Sequence, residues 1–443
     1  MSLSMLMFTF YRILVEYNQN NPEYVQLLND NIMCFMPAFN VDGYLAIEKY
    51  YKEFQKFVKI RKNRNPTSNC PRSTDIGVDL NRNYGYGWDM PGDGSSTNPC
   101  QEDYRGPAPF SEPETQAMKA FVEKYQTKLK LIANLHAYGN LWIYPFNCYV
   151  DDKPYKNKRI TSIYDEFKDK APLPEGAIVG NAKMTVEYTA NGEASDWLLG
   201  TFGIISFSPE IGLIQRDANG FFPNKDVIYP VVTGDYDALY YMMSKLNPKI
   251  ELQGMGEKRL KDRKNRRSIN MNLFNNAYRD ISQGALQLEV KVEGIREGFL
   301  GNSLLPEIYI TQRDMDNSTE TSTPVSVGNI VTTKIKATNS ISYDVTQAFE
   351  FKSWANTQVS VMVPHEDYES LHFELKVLER GHELYNYTQG TYFRLIILTY
   401  DFNNRFWRQS VNKCDAQFDD SSGIACFCCF GDSGHHLWYS ILS

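Results

Sequence analysis

The stretch "KLIANLHAYGNLWIYPF", residues 130–146, runs from an apolar, strand-like segment into a turn and carries the only histidine before His365. An imidazole at a strand end is either hydrogen-bonded and structural or one member of a site. Just upstream, "SEPETQAMKAFVEKY" predicts a helix, with Ser111 as N-cap, Glu112 and Glu114 in the first turn, and the Ser-x-x-Glu spacing of a capping box. Downstream, "GIISFSPEIG" is a second short apolar run that ends in an acid, Glu210, and a further helix is expected from Asp235 to Lys245. Helix and strand signals alternate across residues 1–250, which predicts an α/β domain. "NIMCFMPAFNVDGY" reads as a buried strand entering a loop at Asn40, "LAIEKYYKEFQKF" from Leu45 as a helix, and the Gly/Pro/Asn/Ser-rich segment Asn83–Pro109 as loop.

Composition narrows the classes of partner. With 443 residues, 42% of them hydrophobic, the chain can bury at least one large core. A formal net charge of -7 argues against nucleic acid, whose binding rests on clustered Lys and Arg. The basic run "GEKRLKDRKNRR", residues 256–267, reads as a solvated linker within 251–270. No apolar run approaches the roughly 18 residues a membrane span needs. The apolar start, with Arg12 and Glu16 inside a helical pattern of Leu6, Phe10, Leu14 and Val15, predicts an amphipathic helix rather than a signal peptide. Beyond the linker, "GALQLEVKVEGI", "EIYITQR", "NIVTTKIKAT", "QVSVMVP", "LHFELKVLE" and "TYFRLIILTYDF" predict an antiparallel β-sandwich over 271–412, followed by a Cys-rich tail over 413–443.

Eight cysteines bear on the compartment. Cys70 and Cys100 flank a loop that a disulfide would close over about 30 residues. With two sequons, at Asn317 and Asn386, they favour the secretory pathway or secretion, while a cytosolic protein with free thiols stays open.

Residues able to do chemistry collect in the first half. "GVDLNRNYG" places Asn81 and Arg82 in a turn, where a guanidinium fork suits a carboxylate, although Arg82 could equally pair with Asp79. Tyr188 sits in the loop "VEYTANGEASDW", and Glu210 ends a strand where partial burial would raise its pKa towards that of a useful base. Groups at the carboxyl ends of strands in an open α/β sheet share one crevice, so His136 and Glu210 could meet.

These motifs carry a resemblance. "NVDGY" (40–44), "GVDLNRN" (77–83), "YRGPAPFSEPETQA" (104–117), "LHAYGNLWIYP" (135–145), "GEASDW" (192–197) and "FSPEIG" (207–212) are similar, in order, to those of zinc carboxypeptidases related to pancreatic carboxypeptidases A and B. The resemblance implies an open mixed sheet with helices on both faces. It further implies one zinc ion with His136 as its third protein ligand, Glu210 as general base, Arg61 stabilising the oxyanion, Asn81 and Arg82 holding the substrate carboxylate, and Tyr188 capping the bound residue. Ser195 matches the position that sets side-chain preference, neutral and small here, with Glu187 and Glu193 nearby as possible attractors of a basic residue. Cys70 and Cys100 match a family disulfide.

One departure matters. The family holds zinc with two histidines and a glutamate, and the first two ligands come from a His-x-x-Glu motif before the first helix. That motif is absent from this sequence. The favoured expectation is an active enzyme whose sequence begins at an internal methionine, with a metal-free relative that binds peptide C-termini as the alternative. Either way the polypeptide as written should bind zinc weakly and turn over slowly. Expected partners are peptide or protein C-termini, for a chain acting as a monomer.

Overall fold

A computed structural model describes residues 1–410 apart from 67–69, 150–156, 214–219, 248–249, 260–265, 282–283, 294–306, 314–320, 325–340, 349, 365–369, 380–390 and 402–405. Helices α1 (Ser2–Asn18), α2 (Pro22–Asp30) and α3 (Val41–Phe54) precede a long irregular stretch and then α4 (Pro113–Tyr125). After α4 come strands β1 (Leu131–Ala133) and β2 (Leu141–Ile143), α5 (Lys158–Lys170), β3 (Ile178–Gly180), α6 (Ala182–Thr185), α7 (Ala194–Phe202), β4 (Ile205–Glu210) and α8 (Lys225–Ser244). The four strands form one mixed sheet, order β1-β4-β2-β3, with β1 parallel and β2 antiparallel to β4.

Side-chain alternation puts a core on each face of this sheet. Leu131, Ile205 and Phe207 pack with α1, α5 and α8 through Met5, Phe167 and Leu239. Ile132 and Ile204 pack with α4 and α7 through Val122 and Trp197. Successive strand residues point to opposite faces, so helices cover both sides. Phe167 and Phe207 are fully buried, and each such ring contributes roughly 2–3 kcal/mol.

Several expectations need correction. The strand foreseen over 31–36 is not formed: no described strand pairs with it, Ile32 is 46% exposed, and Asn40 instead caps α3 by accepting from the Gly43 N–H. A lone extended segment cannot satisfy its backbone groups without a neighbour. The N-cap of α4 is Glu112 and not Ser111, because Pro113 occupies the first helical position with its φ already set; the Ser111 hydroxyl donates to Glu112 Oε1 at 2.7 Å. Helix α1 buries Met5, Thr9, Ile13 and Glu16, a stripe one residue off the expected one. Helix α8 starts ten residues before Asp235 and runs through Pro230, which has no N–H to give to the helical ladder.

The described ends of the basic run are strand and not linker. They lie in β5 (Ile250–Arg259) and β6 (Arg266–Asn275), which pair antiparallel. Among the described residues eight more strands follow: β7 (Gly284–Glu293), β8 (Glu307–Arg313), β9 (Thr321–Pro324), β10 (Ile341–Ala348), β11 (Asn356–Pro364), β12 (Ser370–Glu379), β13 (Thr391–Asp401) and β14 (Phe406–Ser410). They complete two antiparallel sheets, ordered β10-β7-β12-β13-β14 and β5-β6-β11-β8-β9. The run "NIVTTKIKAT", both sequons and the Cys-rich tail lie outside the described residues.

Candidate functional site

The site is built where β1 and β4 end. His136 lies just past β1 and bridges to Glu210: its N–H donates to Pro209 O at 2.9 Å, and Ile211 N–H donates to His136 O at 3.0 Å. By strand alternation Asn134, His136, Ser208 and Glu210 all face the α7 side of the sheet. Across from them stands the turn Leu80–Arg82. Asp79 caps this turn through Asn81 N–H at 3.0 Å and takes Arg61 Nε at 2.7 Å. Asp79 therefore pairs with Arg61 rather than Arg82. Burial pushes the Asp79 carboxyl up, but the Arg61 and Arg82 guanidinium groups outweigh it and leave the carboxyl below its usual range.

The orientation of Asn81 settles that of His136. Asn81 Oδ1 accepts from the Ala194 backbone N–H at 3.1 Å, so its Nδ2 points the other way, to His136 Nε2 at 3.2 Å and Glu193 Oε1 at 3.3 Å. Asn134 Nδ2 reaches the same His136 nitrogen at 2.9 Å. Two side-chain amides thus converge on the one ring nitrogen, Nε2.

Glu193 is the hub that the sequence analysis noted only as a neighbour of Ser195. At 3% exposure, it accepts from Asn81, Asn147 Nδ2 (3.0 Å), the backbone N–H groups of Ser195 (3.0 Å) and Asp196 (3.3 Å), and the hydroxyls of Ser195 and Ser208. So many donors satisfy a buried carboxylate without a cation. Glu187 is exposed, and Ser195 is fully buried with its hydroxyl turned onto Glu193. Neither acid is therefore arranged as an open attractor for a basic side chain.

Two groups stay poised. Burial raises the Glu210 carboxyl, an effect that the nearby Arg61 and Arg82 guanidinium groups partly offset. Arg82, 6% exposed, donates from Nη1 to Asn81 O at 2.9 Å, while its Nε has no hydrogen-bond partner. Tyr188 stands apart at 53% exposure on its loop. The structure thus gathers Arg61, Asn81, Arg82, His136 and Glu210, and adds Asn134, whose only sequence signal is its place two residues before His136 on a strand. Cys70 and Cys100 are disulfide-bonded, with Cα atoms 5.4 Å apart. Beneath that loop Lys62, 2% exposed, donates to Pro99 O at 2.8 Å and Gln101 O at 3.0 Å.

A zinc ion does not fit these residues. Among the described residues no three His, Cys, Asp or Glu side chains gather to hold a metal, and His136 Nε2 is taken by amides.

Comparison with known proteins gives a consistent family. The profile described as "Zinc carboxypeptidase" matches residues 1–238. Carboxypeptidase B of Astacus astacus is 27% identical over 220 residues, 49% of this chain and 68% of that protein. Mast cell carboxypeptidase A of Rattus norvegicus is 32% identical over 174 residues, 39% of each chain. Among solved structures, bovine thrombin-activatable fibrinolysis inhibitor in complex with tick carboxypeptidase inhibitor aligns with a TM-score of 0.39 and 25% identity, over 47% of this chain and 67% of that one. The chain thus spans well under two thirds of the rat relative.

Proposed function

The chain belongs to the zinc carboxypeptidase family, and from that premise we propose that its α/β half recognises the free carboxyl terminus of a peptide, the binding step of C-terminal peptide-bond hydrolysis. The observation that carries this reading is Arg82, a buried guanidinium whose Nε lacks a partner. A cation held out of water is costly until an anion meets it, and a carboxylate matches the planar fork. Asn81 stands beside it, and Tyr188 is free to swing over the bound residue from its exposed loop.

Next to the bond to be cut, Glu210 would take a proton from water, its pKa raised by burial, and Arg61 would face the developing oxyanion. The family's zinc supplies the Lewis acid for that reaction, and the described residues do not assemble its ligands. Zinc-dependent turnover by this chain is accordingly expected to be low. The amide-saturated His136 favours, as a second reading, carboxylate recognition without catalysis. The Cys70–Cys100 disulfide supports a secretory compartment, and we place the two five-stranded sheets together as an accessory sandwich.

Titration calorimetry with an N-acetylated dipeptide and its C-terminal amide tests the recognition. The free acid should bind roughly 10–150-fold more tightly, the worth of a charged hydrogen-bond pair, and Arg82→Gln should erase that difference. Equal binding of acid and amide to the native chain would overturn the proposal.

A further inference from the structure

Helix α3 is amphipathic, yet its apolar side faces solvent. Val41, Tyr44, Leu45 and Tyr51 recur at helical spacing along one face, and the first three are 48%, 52% and 51% exposed. Among the residues of this helix only Gly43 is buried. Asn40 holds its start, accepting from the Gly43 N–H at 3.0 Å and donating from Nδ2 to Arg61 O at 3.0 Å. A helix of 14 residues is marginal in water on its own, and most helices draw their stability from burying such a face. Along the same face run Glu48 and Lys52, both exposed and paired at 2.7 Å one turn apart. Single exposed apolar residues need no explanation, but a contiguous stripe of them on a folded surface marks a place where something binds.

We propose that this face binds the same face of a second copy of the chain, as an antiparallel helix pair about a twofold axis close to Glu48. The charge on the helix selects this occupant. Glu48 and Lys52 cancel, and with Asp42, Lys49 and Glu53 the helix carries one more acid than base, so an anionic lipid surface or a polyanion gains nothing from it. A copy of itself is complementary by symmetry: Lys52 of each copy reaches Glu48 of the other, and Leu45 of each meets Tyr51 of the other. Parallel pairing would instead set Glu48 on Glu48 and Lys52 on Lys52. At 1.5 Å per residue the helix is about 21 Å long, and two such faces bury on the order of 800 Å² in total, below the roughly 1,200 Å² of stable complexes. The dimer is therefore a reversible one, with a Kd of roughly 10–100 μM, set against the monomer expected from the sequence. It does not depend on the reading of Arg82 as a carboxylate site.

Sedimentation velocity on the full chain, from about 2 to about 200 μM, tests this pairing, and the native chain should shift from monomer to dimer across that range. Glu48→Lys and, separately, Lys52→Glu put like charges along the face, and each should weaken the dimer about 10-fold or more. Mixing the two variants should restore association to within about threefold of native, because opposite charges meet again, and so should both changes made in one chain. Both positions are exposed, and far-UV circular dichroism checks that helix content is kept. A native chain that stays monomeric at the highest concentration would overturn the proposal. So would a dimer that both single reversals leave intact, which places the interface elsewhere. A dimer weakened by each reversal but not recovered in the mixture overturns it as well, since the loss then belongs to α3 itself. Flotation of a monomeric chain with phosphatidylserine vesicles, lost in Leu45→Ser, would assign the face to lipid instead.

Discussion

Asp235 is 3% exposed on α8, and burial lifts its carboxyl to about 7, against a partial lowering by the Gly212 backbone N–H that donates to it. That contact ties α8 to the chain two residues past Glu210. Because the folded pKa lies above the unfolded one, the stabilisation is complete below about pH 4 and is lost as pH rises through about 7. The shift corresponds to roughly 4 kcal/mol. Urea midpoints should therefore fall between pH 5 and pH 8 in the native chain, and Asp235→Asn, which keeps an acceptor for Gly212, should flatten that slope. An undiminished slope in the variant would place the titration on another group. Nothing in the sequence marks Asp235 as buried, since its neighbours Gly234, Tyr236 and Asp237 form no apolar stripe that singles it out. Arg82 and Asn81 were legible as a pair suited to a carboxylate, but only the fold shows that Asp79 pairs with Arg61 and that Arg82 Nε has no hydrogen-bond partner.

The turn that leads into α7 is held against the turn Leu80–Arg82 by backbone contact. Gly192 has φ +66°, its carbonyl accepts from the Tyr84 N–H at 3.0 Å, and a Cβ there would lie 2.4 Å from Arg82 O. Gly192→Ala should cost ~1–2 kcal/mol for the backbone conformation alone and more for the clash. It should also weaken free-acid peptide binding, because the obstructed atom belongs to Arg82. A melting temperature and dipeptide affinity both equal to the native values would show that this contact does not position Arg82. Regular elements with strong local signals, such as β4 and the bodies of α1 and α4, were readable from periodicity and capping residues. The segment over 31–36 was not, because an apolar run becomes a strand only where a neighbour completes its hydrogen bonds, and none of the described strands does.

On the scale of the whole molecule, the β-rich half closes the core of the α/β half. Tyr278 (2% exposed) and Trp354 (8%) belong to the same buried cluster as Tyr164 and Phe167. The Tyr278 N–H donates to Lys245 O at 2.8 Å, and Arg279 Nε donates to Leu246 O at 2.9 Å, just past α8. Tyr278→Ala should cost about 3–5 kcal/mol and lower the unfolding of both halves together, read by calorimetry with limited proteolysis of each half. Two separate transitions, with that of the α/β half unmoved by the substitution, would show instead that the halves fold independently. The amino-acid sequence by itself determined the alternation of helix and strand over the first half, the strand-rich texture of the second, and an ordered set of motifs that name the family, because these signals are local in the chain. Only the tertiary structure decided which groups meet: that Glu193 is satisfied by donors from four segments, that His136 faces amides, and that Tyr278 joins a core that reaches back to Met5. Hydrogen bonds and burial between residues distant in sequence depend on the path of the folded backbone, and local pattern carries no record of it.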